Sequence, residues 1–253
     1  MGQKTIPQSL RLDNLKNWNS NWITEKKDYS KLFYLDHSLR QYLQKFCQKN
    51  ELNINNLNIE KHGKYLNIYI NIYNFKENKI NSLKNFENDL EKSINKYLNY
   101  LNLNYISKVY LINVTMGNLK IGYTFYKQFR KFPSMAMHFY SFINVSYIAF
   151  YTQSVEMISN YLVKNLQKLP KHRQYLNNID KILNKQYQIF DNCLGYKIEL
   201  KGRVNGLARS RKIFIKSGKT PLNTLKYNIK YDVKEILTPY GICSLKVWLF
   251  FKK

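Results

Sequence analysis

The chain has 253 residues, a formal net charge of +25 and a pI near 9.8. So large a cationic excess calls for a polyanionic partner, because the free chain repels itself and neutralising phosphates releases their counterions. A hydrophobic content of 44% with 15% aromatics excludes a disordered basic tail, and the length suits two small domains at roughly 100 to 200 residues each.

Residues 1 to 28 carry Lys4, Arg11, Trp18 and Trp22 without a sustained period, which is the signature of an extended arm. Docking on RNA and packing on the chain's own domain both remain open for it. Leu32, Leu35, Leu39, Tyr42, Leu43 and Phe46 then recur at spacings of three and four, predicting a helix over 28–47. Strands are expected at 52–60 and 65–73 around a turn at Lys61-His62-Gly63-Lys64. A helix at 82–98 follows, striped by Leu83, Phe86, Leu90, Ile94 and Leu98, and then a strand at 105–114.

Phe132 to Val155 has no formal charge. His138, Asn144, its serines and its tyrosines make it too polar for hydrocarbon, so a helical or mixed insertion against neighbouring protein or RNA is expected instead of a membrane span. An amphipathic helix is expected over 154–168, broken by Pro170, and a second is marked by Leu176, Ile179, Leu183, Tyr187 and Phe190. Between them lies a basic connector with Lys168, Lys171 and Arg173, preceded by Lys164.

The last sixty residues carry the most information. Tyr196, Ile198 and Leu200 alternate with Lys197, Glu199 and Lys201, and Leu225 to Val233 alternates likewise with Lys226 to Lys234. Such alternation predicts three or four antiparallel strands with one buried face and one lysine-rich wet face. The segment from Lys201 to Lys212 holds two glycines and five cations, a composition suited to phosphate contact. Ser217-Gly218-Lys219-Thr220-Pro221 supplies a turn, and a closing strand runs from Ile242 to Phe251 with Lys246 inside it. The chain has only seven arginines, and Arg11, Arg40, Arg203, Arg209 and Arg211 fall in the segments singled out. A guanidinium forks onto phosphate where an ammonium cannot, so these positions are expected to use that geometry. Cys47, Cys193 and Cys243 and the four histidines lack metal-ligand spacing, so neither a metal nor a cofactor is expected.

Gly202-Arg203 with Ala208-Arg209, Gly218-Lys219-Thr220-Pro221-Leu222-Asn223-Thr224-Leu225, and Tyr240-Gly241 with Lys246-Val247-Trp248 resemble the carboxy-terminal domain of ribosomal protein three of the small subunit, bacterial and organellar type. Met1-Gly2-Gln3-Lys4, Pro7, Arg11-Leu12, Trp18-Asn19-Ser20-Asn21-Trp22 and Arg40-Gln41-Tyr42-Leu43 are similar to the opening of that family. The resemblance covers roughly 1–110 and 154–253. It implies an α+β chain: an arm at 1–28, a type-two KH-like domain at 29–113, an insertion at 114–153, and two helices packed on an antiparallel sheet at 154–253. It further implies a non-enzymatic constituent of the small subunit that binds ribosomal RNA in the head and neighbours ribosomal proteins ten and fourteen. Together with proteins four and five it would line the channel by which messenger RNA enters.

On that reading Lys4, Arg11, Trp18, Trp22, Arg40, Lys201, Arg203, Arg209, Arg211, Lys212, Lys219 and Lys246 contact ribosomal RNA. Lys164, Lys168, Lys171 and Arg173 face the message. A KH domain grips a single strand through a Gly-x-x-Gly loop, but the matching positions are Lys84-Asn85-Phe86-Glu87. With no glycine there, Phe86 is expected to extend the helix into the core and Glu87 to repel phosphate. Abundant Asn, Lys, Ile, Tyr and Phe, with scarce Arg, suggest an A+T-rich organellar genome, and the absence of an Arg- and Ser-rich leader fits synthesis within a mitochondrion. The alternatives are a homing-type nuclease or maturase, which needs paired acidic metal ligands that the sequence does not offer, and a free KH-type RNA-binding protein. No membrane or small-molecule partner is expected.

Overall fold

The structure, a computed structural model, describes residues 5–14, 18–50, 52–73, 80–100, 105–113, 136–207 and 211–252. Two units emerge, one of Lys16–Thr115 and one of Met116–Lys253 joined by Met1–Leu15.

The first unit is a four-stranded sheet in the order β1-β2-β3-β4, with β1 Ser20–Asn21, β2 Asn53–His62, β3 Tyr65–Tyr73 and β4 Ile106–Asn113. Helices α1, Tyr29–Lys49, and α2, Ile80–Tyr100, bury Leu35, Leu39, Leu43, Leu90, Ile94 and Leu98 with Leu66, Ile68, Ile70 and Ile72 of β3 in one core. The β2–β3 hairpin closes at Gly63, whose φ of +59° suits glycine. β3 and β4 run parallel, which requires a crossover, and α2 is that crossover.

β4 is an edge strand, and α2 covers its outward N–H groups. Ser107 N–H donates to Asn95 Oδ1 at 3.2 Å, Val109 to Glu91 Oε1 at 2.8 Å and Leu111 to Glu87 Oε1 at 2.8 Å. Four residues of helix rise about 6 Å and two residues of strand about 6.6 Å, so acceptors every fourth helical residue meet donors every second strand residue. α2 runs through positions 84–87 as expected, and Phe86 packs against Phe46 with centroids 5.4 Å apart. Glu87 corrects its expectation: its carboxylate is engaged by the strand edge rather than held toward a phosphate.

The second unit has a fully antiparallel sheet in the order β6-β5-β8-β7, with β5 Cys193–Gly202, β6 Arg211–Gly218, β7 Asn228–Thr238 and β8 Gly241–Phe251. Tyr196, Ile198 and Leu200 pair with Leu249, Val247 and Leu245 and turn toward the helices. The Tyr196 hydroxyl donates to Asp180 Oδ1 at 2.7 Å, and burial pushes that phenol far above its ordinary pKa.

Two helices cover this face as expected, α4 Glu156–Leu166 and α5 His172–Tyr187, and a third that precedes them, α3 Ala136–Tyr151, packs on both. The described part of the uncharged stretch, from Ala136 on, is therefore explained within its own unit. Phe142, Ile143, Val145, Ile148, Ala149 and Phe150 of α3 are buried, and Gln186 on α5 donates to the Ile143 carbonyl at 2.8 Å. Among the described residues no helix is long and apolar enough to cross a membrane. Residues 114–135 lie outside the described residues.

One expectation is overturned. The alternation of β7 faces the opposite way: Ile229 and Tyr231 lie on the face away from the helices, packed with Trp248 and Phe250, while Asp232 turns inward and accepts a hydrogen bond from Ser159 of α4. For the arm at 1–28, where docking on RNA and packing on the chain's own domain were both open, the described residues pack on the chain itself. Ser9–Asn14 forms a 3-10 helix, and Ser20–Asn21 pairs in parallel with Ile59–Glu60.

Arg11, expected on ribosomal RNA, is 4% exposed and donates to the carbonyls of Pro7, Leu222 and Thr224 at 3.0, 2.9 and 2.6 Å. Gln8 donates beside it to the Tyr231 carbonyl at 3.0 Å. Arg40 is likewise used internally: it pairs with Asp36 at 3.0 Å and donates to the Leu57 and Asn19 carbonyls at 2.9 and 2.7 Å. Both residues use the planar fork, but on backbone carbonyls and, for Arg40, the Asp36 carboxylate instead of phosphate.

An ammonium cannot reach all three carbonyls at once, so Arg11→Lys should cost about 1–3 kcal/mol. Hydrogen exchange should show protection lost in residues 5–14 and 222–231, with the helices of residues 29–100 unchanged.

Candidate nucleic-acid interface

The face of the second sheet away from the helices gathers three of the expected cations, Lys201, Lys212 and Lys246. Its register defines three rows across β6, β5, β8 and β7. The first reads Lys216, Lys197, Trp248, Tyr231; the second Phe214, Glu199, Lys246, Val233; the third Lys212, Lys201, Ser244, Glu235. Five of these twelve positions are lysine and two are glutamate. Neighbouring strands lie about 4.8 Å apart and alternate residues about 6.6 Å apart, so the lysines form a dense cationic lattice.

Particular contacts order the lattice. Lys197 Nζ lies 4.6 Å from the Trp248 ring centroid, a cation–π contact that keeps the ammonium on the face. Lys212 pairs with Glu199 at 3.2 Å. The Phe214 ring is 59% exposed beside them, an apolar plane among cations of the kind on which bases stack. At one end Gly202 has φ +146°, and a Cβ there would stand 2.9 Å from the Cys243 Cα, so the loop after β5 is pressed against β8. Arg203 and Arg211 are exposed on either side of that loop, and Lys219 is exposed after β6.

A second cationic group lies on the connector. Lys164 of α4 and Lys168, Lys171 and Arg173 around the start of α5 are all exposed. His172 among them is buried: its Nε2–H donates to the Leu166 carbonyl at 3.2 Å and its Nδ1 accepts from the Asn205 N–H at 3.4 Å. Desolvation by burial lowers its pKa, against the backbone hydrogen bonds of Leu166 and Leu169 that raise it.

Lys201, Lys212 and Lys246 thus come together on one face, with Arg203, Arg211 and Lys219 at its margins. Trp18 is exposed, whereas Trp22 is half-buried against the first unit's core with its ring 5.6 Å from Tyr29. Lys4 and Arg209 lie outside the described residues. The sequence reading missed Lys216, Phe214 and the packing of Lys197 and His172. The first two had a signal, since Lys212, Phe214 and Lys216 alternate with Ile213 and Ile215, but the cationic loop drew attention away from that short strand.

A lysine lattice with aromatic planes, on a sheet backed by helices, defines an α+β protein built to bind a polyanion. The family model described as "Ribosomal protein S3, C-terminal domain" matches residues 166–249. Small ribosomal subunit protein uS3c of Euglena longa is 33% identical over 253 residues, covering 98% of this chain and 99% of that protein. Small ribosomal subunit protein uS3 of Buchnera aphidicola subsp. Baizongia pistaciae is 26% identical over 250 residues, 99% of this chain and 86% of that protein. The same protein of Borreliella burgdorferi is 26% identical over 250 residues, 99% of this chain and 70% of that protein. The chain belongs to the uS3 family of small ribosomal subunit proteins, of the bacterial and organellar type. Its role is structural and not enzymatic.

Glu199 sits at the centre of the lattice, so Glu199→Gln removes a repulsion of about 0.6 kcal/mol per phosphate at ~7 Å in water. Affinity for a short RNA hairpin should rise about threefold, measured by fluorescence anisotropy. A fall would mean that orienting Lys212 matters more than the charge.

Proposed function

We propose that the chain is a constituent of the small mitochondrial ribosomal subunit that binds small-subunit ribosomal RNA in the head through the lysine lattice of its second unit. The observation that carries this reading is the convergence of Lys197, Lys201, Lys212, Lys216 and Lys246 on one sheet face. Arg203, Arg211 and Lys219 extend the face, and Lys4, Trp18 and Arg209 add contacts at the two basic segments. Lys164, Lys168, Lys171 and Arg173 face the incoming message. Ribosomal proteins ten and fourteen are its neighbours in the head, and four and five share the messenger channel.

The first unit is a KH-like domain turned into a structural wedge. Support comes from the helix running unbroken through the former loop positions, with Phe86 packed on Phe46 and Glu87 bound to the Leu111 N–H. A backbone so enclosed does not reach the phosphates of a single strand. Photo-crosslinking of bound RNA to the full chain should therefore label the second unit and spare residues 84–87.

In sucrose gradients of organelle lysate the protein should sediment stoichiometrically with the small subunit. Recovery with plastid rather than mitochondrial ribosomes would relocate it, and recovery in neither would end the proposal. The purified chain should lose RNA affinity steeply with salt: five lysine–phosphate contacts at about 0.7 each give a slope near −3.5 on single strands.

A further inference from the structure

His172 and Asn205 exchange two hydrogen bonds. The Asn205 side-chain oxygen accepts from the backbone N–H of His172 at 2.8 Å, and the His172 Nδ1 accepts from the backbone N–H of Asn205 at 3.4 Å. Asn205 reaches this position at φ +56°, a left-handed conformation that asparagine tolerates better than most residues. His172 is also tied to the end of α4 through the Leu166 carbonyl. Three segments meet here: the end of α4, the start of α5, and the loop between β5 and β6.

The neighbours of the pair are cations. Lys171 and Arg173 flank His172, and Arg203 stands two residues before Asn205; all three are exposed. The bonded atoms thus hold two cationic segments, far apart in sequence, within a few residues of one another. The Asn205 oxygen also occupies an N–H at the start of α5, one of the donors a helix leaves unmade there. The surface charge is cationic, and the complement that fits a row of cations from two segments is a phosphodiester backbone.

We infer that the His172–Asn205 pair fuses the connector and the β5–β6 loop into one composite site, in which Lys171, Arg173 and Arg203 hold successive phosphates of the same RNA strand. The inference rests on the RNA-binding reading above but changes it, since the two groups act together instead of serving messenger and ribosomal RNA separately. His172 and Asn205 are positioning residues and touch no RNA themselves.

The test uses the full chain and a ten-nucleotide single-stranded oligouridylate. Asn205→Gly keeps the left-handed backbone but deletes the side-chain acceptor; His172→Phe keeps a buried ring and the backbone N–H to Asn205 but deletes the ring's Nδ1 and Nε2 bonds. Either should weaken binding several-fold and reduce the magnitude of the salt slope by about 0.7 to 1.4, one or two phosphates, while Asn205→Gly leaves circular dichroism and Tm near those of the parent. Lys171→Ala and Arg203→Ala should be non-additive in the parent and additive in the Asn205→Gly background. An unchanged slope in Asn205→Gly, or additivity in the parent, would overturn the inference even if His172→Phe fails to fold. Absence of any salt-dependent RNA binding by the parent would instead overturn the RNA-binding reading.

Discussion

Strand β8 has apolar side chains on both faces, and the second unit follows from that constraint. Leu245, Val247, Leu249 and Phe251 face the helices; Trp248 and Phe250 face the other way and are also buried. A strand apolar on both sides needs cover on both sides. The helix layer supplies one cover. The other is local, made of Leu194, Leu222, Ile229 and Tyr231, with the segment around Arg11 fixed to the carbonyls of Leu222 and Thr224. That requirement turns β7 over and removes Arg11 from the surface. It also confines the cationic lattice to the remaining part of the face.

The elements themselves were legible because their periods were clean. The strand at Tyr65–Tyr73 matches its expectation; the helix at 29–49 begins one residue later than expected and ends two later, and the helix at 80–100 extends its expectation by two residues at each end. The inverted β7 was not legible, since period two tells that a strand has two unlike faces and not which face meets the core. α3 was misjudged for a related reason. A helix buried nearly all round lacks an amphipathic stripe, so uncharged sequence suggested an external partner that its own unit provides.

The site was legible in composition and less so in assignment. Lysines at 201, 212 and 246 read as surface because their neighbours alternate, and the sheet register brings them together. Arginine scarcity singled out positions for a fork onto phosphate, yet Arg11 and Arg40 fork onto carbonyls and an aspartate of the same chain. Sequence cannot separate those acceptors from phosphate, since both present oxygen lone pairs. His172 carried no signal: its partner lies 33 residues away and is found only through the turn at Asn205.

The attachment of Arg11 has a consequence for synthesis. Its partner Leu222 lies 211 residues downstream, so at roughly 5–20 residues per second the amino-terminal segment waits on the order of 10–40 s for its docking surface. Meanwhile the unit of Lys16–Thr115 is complete in sequence and free to fold. The segment around Arg11 therefore stays without its partner carbonyls until Leu222 and Thr224 have been made, and the second unit closes only after its last strands leave the exit tunnel.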